Sequence, residues 1–121
     1  MQITLSTNIL KSVLDLASRY VAKNSTLPVL QHVYIKANVD TVLFRATDME
    51  KYIDIEVPAT IDMPGTLSVD AKTLTEYVKS LDDEMVTMVI DMSKNIITLK
   101  TVSDTIKIKG LSGSEYVGIP E

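Results

Sequence analysis

The sequence contains no cysteine, which removes disulfide frameworks, thiol nucleophiles and cysteine-based zinc sites. It contains one histidine, His32, too few for a common zinc site and without a second ligand at helical spacing. Glycine is scarce: there are four, and Gly110 and Gly113 follow a strand pattern and open no helix, so they form no phosphate-cradling loop. No apolar run approaches the roughly 18 residues of a membrane helix. The N-terminus lacks the basic, apolar, small-residue order of a signal peptide. Positive charge is not in excess either. Twelve Lys and Arg stand against 16 Asp and Glu, giving a net charge of -4. A globally basic nucleic-acid binder is excluded, but a local basic face is not. These absences describe a soluble, intracellular domain.

What is present is ordinary globular composition with an ordered pattern. In 121 residues, 45% are hydrophobic and 23% charged, which suits one domain with a real core and argues against disorder. Gln2 to Ser6 alternates as a short strand, with Ile3 and Leu5 on one side. Thr7 and Asn8 are candidate N-caps for a helix whose stripe is Leu10, Val13, Leu14, Ala17 and Val21. The helix stops near Lys23-Asn24-Ser25, and Leu27-Pro28 restarts the chain in an extended state. Three strands follow: Val29 to Ala37, a segment alternating at Val42, Phe44 and Ala46, and another alternating at Ile53, Ile55 and Val57. Turns are expected at Asn38-Val39-Asp40 and around Asp48-Met49-Glu50.

Pro58 to Gly65 interrupts the pattern, and then the same order returns. Thr66-Leu67-Ser68 echoes Thr4-Leu5-Ser6, Asp70 is an N-cap candidate, and Leu74, Tyr77, Val78 and Leu81 repeat the first helix's stripe. Strands over Met85 to Asp91, Ile96 to Thr101 and Thr105 to Lys109 complete it. The chain therefore reads as strand, helix, three strands, written twice, with pseudo-repeats over 1–57 and 65–110. Short strands on tight turns are antiparallel, and each amphipathic helix needs a cover. The expected fold is α+β, two helices side by side on one layer of antiparallel sheet.

On the second helix, Lys72 and Lys79 fall almost in line opposite the apolar stripe, with Glu76 between them. On the first, Lys11 and Arg19 flank the polar face around Asp15, and Lys23 and Asn24 follow its end. Such spaced lysines, without aromatic partners, suit sequence-independent contact with a phosphate backbone. Mixed charge on a helix is equally the ordinary composition of solvated surface. Signals for catalysis are weaker still. His32 alternates with Tyr34 and Lys36 on the polar side of a strand and reads as a solvated position. Asp48 with Glu50, and Asp82, Asp83 and Glu84, lie at turns or helix ends, where such residues bind backbone N–H groups. No catalytic residue, metal site or cofactor is expected. Met88 and Met85 read as core filling or exposed strand positions.

The repeated order, with Lys72 and Lys79 outward, resembles a sliding-clamp module, and more specifically the N-terminal domain of the bacterial clamp, the beta subunit of DNA polymerase III. Thr26-Leu27-Pro28-Val29-Leu30, Ala46-Thr47-Asp48-Met49-Glu50, Val69-Asp70-Ala71-Lys72 and the run from Gly110 through Tyr116 to Pro120 carry the likeness over essentially the whole chain. The resemblance implies a DNA-clamp domain of a ring that encircles duplex DNA without reading its sequence and tethers the replicative polymerase. It implies DNA-facing positions at Lys72, Lys79, Lys23 and Asn24, with Lys11 as a helix-based addition. It implies a cytoplasmic replication factor and no enzyme. Polymerase and clamp loader would bind through the full-length protein, whose peptide pocket lies on later domains, and ring closure would need those domains too. One of three such domains matches, so an excised N-terminal domain is expected rather than a natural single-domain clamp. A non-enzymatic interaction scaffold sharing the fold without DNA contact is the alternative.

Overall fold

The computed structural model describes residues 2–23 and 27–116. The first strand, β1 (Gln2–Ser6), leads directly into helix α1 (Thr7–Ala17). A single 3-10 turn (Pro28–Gln31) precedes β2 (His32–Ala37), β3 (Thr41–Thr47), β4 (Tyr52–Pro58) and a two-residue β5 (Thr60–Ile61). The order then recurs as β6 (Gly65–Asp70), α2 (Ala71–Lys79), β7 (Met85–Asp91), β8 (Ile96–Lys100), β9 (Thr105–Lys109) and β10 (Leu111–Ser112).

The strands form two five-stranded sheets, not one layer. One runs β5-β1-β7-β8-β9 and the other β10-β6-β2-β3-β4, antiparallel throughout. The halves exchange their entry strands: β1 pairs with β7 of the second half, and β6 pairs with β2 of the first. Neither half can therefore complete a sheet alone. Sequence periodicity identifies which face of a strand is apolar but not which partner it takes, and that is why one layer was expected. The interruption between the halves contains β5, which closes the first sheet against β1 in the register Ile3 to Ile61.

Both helices cover the inner faces, and one continuous core results. Leu10, Val13, Leu14 and Ala17 of α1 meet Leu74 and Val78 of α2 among Ile3, Val33, Ile35, Phe44, Leu67, Met88, Ile97 and Leu99. Met88 fills this core while Met85 stays exposed. Tyr77 departs from the expected stripe and is exposed, because the buried side of α2 turns through Ala71, Leu74, Thr75 and Val78 instead. Ser6, not Thr7 or Asn8, caps α1, its hydroxyl accepting from the Ile9 N–H at 3.4 Å. Thr7 begins the helix and is buried. Asp70 caps α2 as expected, accepting from the Thr73 N–H at 2.9 Å and its hydroxyl at 2.9 Å. The expected strand from Val29 is instead the 3-10 turn with Pro28 at its first position, a placement proline tolerates because it lacks an N–H.

The segment after β9 folds over the outer face of the second sheet. Tyr116 stacks on Tyr34 with centroids 5.1 Å apart, and its hydroxyl donates to the Arg45 carbonyl at 3.4 Å. Burial pushes the Tyr116 hydroxyl up to about 12. Gly110 permits the close approach: a Cβ there would lie 2.3 Å from the Ser68 carbonyl oxygen. His32 is half-buried rather than solvated, with Nδ1 3.0 Å from the hydroxyl of fully buried Ser68. Desolvation lowers its pKa, and the charge of Asp70, its partner across the ladder, opposes that shift.

Of the carboxylates set aside as turn formers, Asp48 has that role. Asp48 accepts from the Glu50 N–H at 3.0 Å, the Lys51 N–H at 2.9 Å and Lys51 Nζ at 3.0 Å, and these bonds hold its carboxyl at about 2. Met49 takes the left-handed conformation within that turn, at φ 78°. Asp83 accepts from the Ser103 hydroxyl at 2.8 Å. Among the described residues no group of acids or histidine could hold a metal ion, and no helix is long and apolar enough to cross a membrane.

Candidate nucleic-acid interface

The connection from α1 to β2 builds the site. The helix tightens at its end, where the Arg19 N–H donates to Leu16 at 3.2 Å and the Tyr20 N–H to Ala17 at 3.0 Å. Tyr20 and Val21 then pack against the core, and the Ala22 N–H donates to the Leu30 carbonyl at 2.8 Å. Lys23 is thereby carried out beside α2. A cleft of about 440 Å³ opens between this connection and the flank of α2.

Lys23, Lys72 and Lys79 all line that cleft, so the three lysines separated by up to 56 positions in the chain (79 minus 23) share one surface. All three are exposed, and none has an ion-pair partner among the described residues. Asp70 and Glu76 also line it. The Asp70 carboxylate is committed to capping α2, whereas Glu76 is exposed and dilutes the positive field. Lys79 lies in the last turn of α2, where the helix dipole favours a cation.

Of the other candidates, Lys11 is half-buried on α1 and does not line the cleft. Asn24 lies outside the described residues. Arg19 is paired with Asp15 at 3.0 Å on the exposed side of α1. Sequence reasoning missed Gln31 and Thr75, which also line the cleft. Gln31 was hidden by reading residues 29–37 as one strand; Pro28 at a helix-compatible position was the available signal. Thr75 is 7% exposed and its hydroxyl has no hydrogen-bond partner among the described residues. The arrangement offers cations at long, flexible reach. It can hold phosphate oxygens without reading bases.

Two helices laid on two sheets of exchanged strands, with lysines gathered beside the helices, define the sliding-clamp fold. The structure aligns with the DNA polymerase sliding clamp of Bacillus subtilis at a TM-score of 0.94 and 23% identity, over 100% of this chain and 34% of that one. It aligns with the pol III beta of Caulobacter crescentus at a TM-score of 0.91 and 25% identity, over 99% of this chain and 33% of that one. The family model for the DNA polymerase III beta subunit, N-terminal domain, matches residues 1–120, and the chain belongs to that family. The beta sliding clamp of a Synechocystis strain is 30% identical over 118 residues, which is 92% of this chain and 30% of that protein. The chain thus spans about a third of the length of the curated relatives it matches.

Proposed function

We propose that this chain is one domain, residues 1–121, of a processivity clamp that encircles duplex DNA and tethers the replicative polymerase in the cytoplasm. It acts by binding and not as an enzyme. The single observation that carries the reading is the shared cleft of Lys23, Lys72 and Lys79. Long side chains on a solvated surface neutralise phosphates by releasing counterions, without fixing a register, so a ring lined by them can slide. An acidic protein with a locally basic lining concentrates that attraction where the duplex passes. Lys11 is a weaker contributor, because it lies away from the cleft. Asn24 follows Lys23 in the sequence and is proposed as a neighbouring contact.

The remaining partners follow family membership. Polymerase and clamp loader are proposed to dock through further domains of a longer protein. The crystal structure of the Helicobacter pylori beta clamp with a DNA ligase peptide supports peptide partners for such clamps.

Titration of duplex DNA at several salt concentrations tests the reading. Three phosphate contacts give a log–log salt slope of about -2.7 at roughly -0.9 per contact. The paired variant Lys72→Glu with Lys79→Glu is expected to abolish binding at low salt. Salt-independent binding, or binding indifferent to that pair, would favour the scaffold alternative.

A further inference from the structure

The two sheets differ on the faces turned away from the helices. On the first sheet that outer face is fixed by alternation with buried Ile3, Leu5, Met88, Leu99 and Ile108. Cross-strand pairing arranges it in rows. One row runs Thr4, Thr87, Lys100, Thr105, and the next Gln2, Val89, Thr98, Lys107. A third holds Asp91, Ile96 and Lys109. Thr4 and Thr87 engage each other, their hydroxyls 3.0 Å apart. The basic charge gathers on the β8–β9 side, at Lys100, Lys107 and Lys109.

All three lysines are exposed, and none has an ion-pair partner among the described residues. Asp91 is the one acid among the described strand positions of this face. Its carboxylate accepts from the Ser93 N–H at 3.0 Å, the Ser93 hydroxyl at 2.6 Å and the Lys94 N–H at 3.2 Å, so it is committed to its turn. The outer face of the second sheet is balanced instead. There Lys36 and Arg45 stand with Asp54 and Glu56, and Arg45 holds Asp54 at 2.6 Å. A chain of net charge -4 thus keeps an uncompensated basic row on one sheet face. Lys107 and Lys109 are two residues apart on one strand, about 7 Å. Lys100 stands opposite Thr105, so Lys107 is its diagonal neighbour at about 7–8 Å. Every second side chain of an extended peptide repeats at the same distance of about 7 Å. Half-buried Val89 and Ile96 give the face an apolar component. No described strand position of this face carries an aromatic ring, so the stacking platform that suits single-stranded nucleic acid is missing there.

We infer that the outer face of the first sheet binds an acidic polypeptide segment in extended conformation, with carboxylates on alternate residues meeting Lys100, Lys107 and Lys109. Charge complementarity selects the partner, and the matching repeat selects its conformation. The contact uses side chains on the face of the sheet and leaves the backbone edges of β5 and β9 unused. The face lies on the side of its sheet opposite the helices, away from Lys23, Lys72 and Lys79. A duplex and an acidic segment therefore do not compete for the same cations. The inference does not rest on DNA contact.

Fluorescence anisotropy of a labelled peptide alternating Glu and Val over about eight residues tests it. With the 121-residue chain at about 0.05 M salt, the dissociation constant is expected at about 0.1–1 mM, weakening several-fold at about 0.5 M. Lys107→Glu with Lys109→Glu should weaken binding about tenfold or more, and Lys107→Arg with Lys109→Arg should retain it. Both positions are exposed, so each variant should keep its unfolding transition. Lys72→Glu with Lys79→Glu should leave peptide binding within about twofold of the parent. Absence of binding at low salt would overturn the inference, as would a loss that follows Lys72 and Lys79 instead of Lys107 and Lys109. A thymidine oligonucleotide that binds more tightly than the peptide, and is released by Lys107→Glu with Lys109→Glu, would assign the face to nucleic acid and overturn it as well.

Discussion

In the first half the chain takes residues 18–31 to travel from α1 to β2, whereas in the second it takes residues 80–84 to travel from α2 to β7. The entry strands, helices and meanders on either side of these connections correspond closely. The long connection supplies Lys23 and Gln31 and forms one wall of the cleft, and the flank of α2 supplies the other. The candidate site is therefore where the internal symmetry breaks. Repetition builds the core, and the departure from it makes the surface. The outer strands show the same division: β4 and β9 share apolar spacing but carry opposite charge.

Truncating matched core positions should have the largest effects. Leu10 in α1 and Leu74 in α2 are both fully buried, each four positions after its helix cap. Leu10→Ala and Leu74→Ala are each expected to cost about 2–5 kcal/mol in urea denaturation. Because the halves share one core, each variant should unfold in one transition; two transitions would show that the halves are separable.

The caps should differ. Asp70 makes two bonds at 2.9 Å, and Ser6 makes one at 3.4 Å. Asp70→Ala should cost up to about 2 kcal/mol and Ser6→Ala about 0.5 kcal/mol, measured the same way. Equal losses would mean that cap geometry does not distinguish the helices.

The broken symmetry can be read from salt dependence. Lys23→Ala should lower the magnitude of the log–log slope for duplex binding by about 0.9, whereas Lys11→Ala should leave it nearly unchanged. A reversed order would move the interface onto α1.

The smallest effect concerns His32, at the start of β2. Its folded pKa is lowered by burial from an ordinary 6.5, so the unfolded chain binds the proton more readily. The stability this contributes is fully present above about pH 6.5 and is lost as pH falls through the folded value. His32→Gln should flatten thermal stability across that window, and an unchanged profile would assign the pH dependence elsewhere.

Much of this architecture is legible in the sequence because local periodicity is a local property. Met85 to Asp91 and Thr105 to Lys109 are strands with the expected bounds, and Asp70 is the expected cap. Tyr77 was misplaced because helical spacing alone does not say how far a buried arc turns. The half-burial of His32 is not legible in the alternation of its strand, because Ser68 reaches it only through the pairing of β2 with β6 of the other half. Lys72 and Lys79 were found from helical geometry, but their meeting with Lys23 depends on how a nonhelical connection packs.

The sequence by itself determined the duplicated order of elements, the apolar faces and the location of the basic residues, because each rests on spacing within a few neighbouring residues. Only the tertiary structure decided that β1 and β6 exchange halves, that two sheets form, and that three distant lysines share a cleft. Those outcomes depend on contacts between segments far apart in the chain, and the entropy of bringing such segments together is repaid only when the whole core closes.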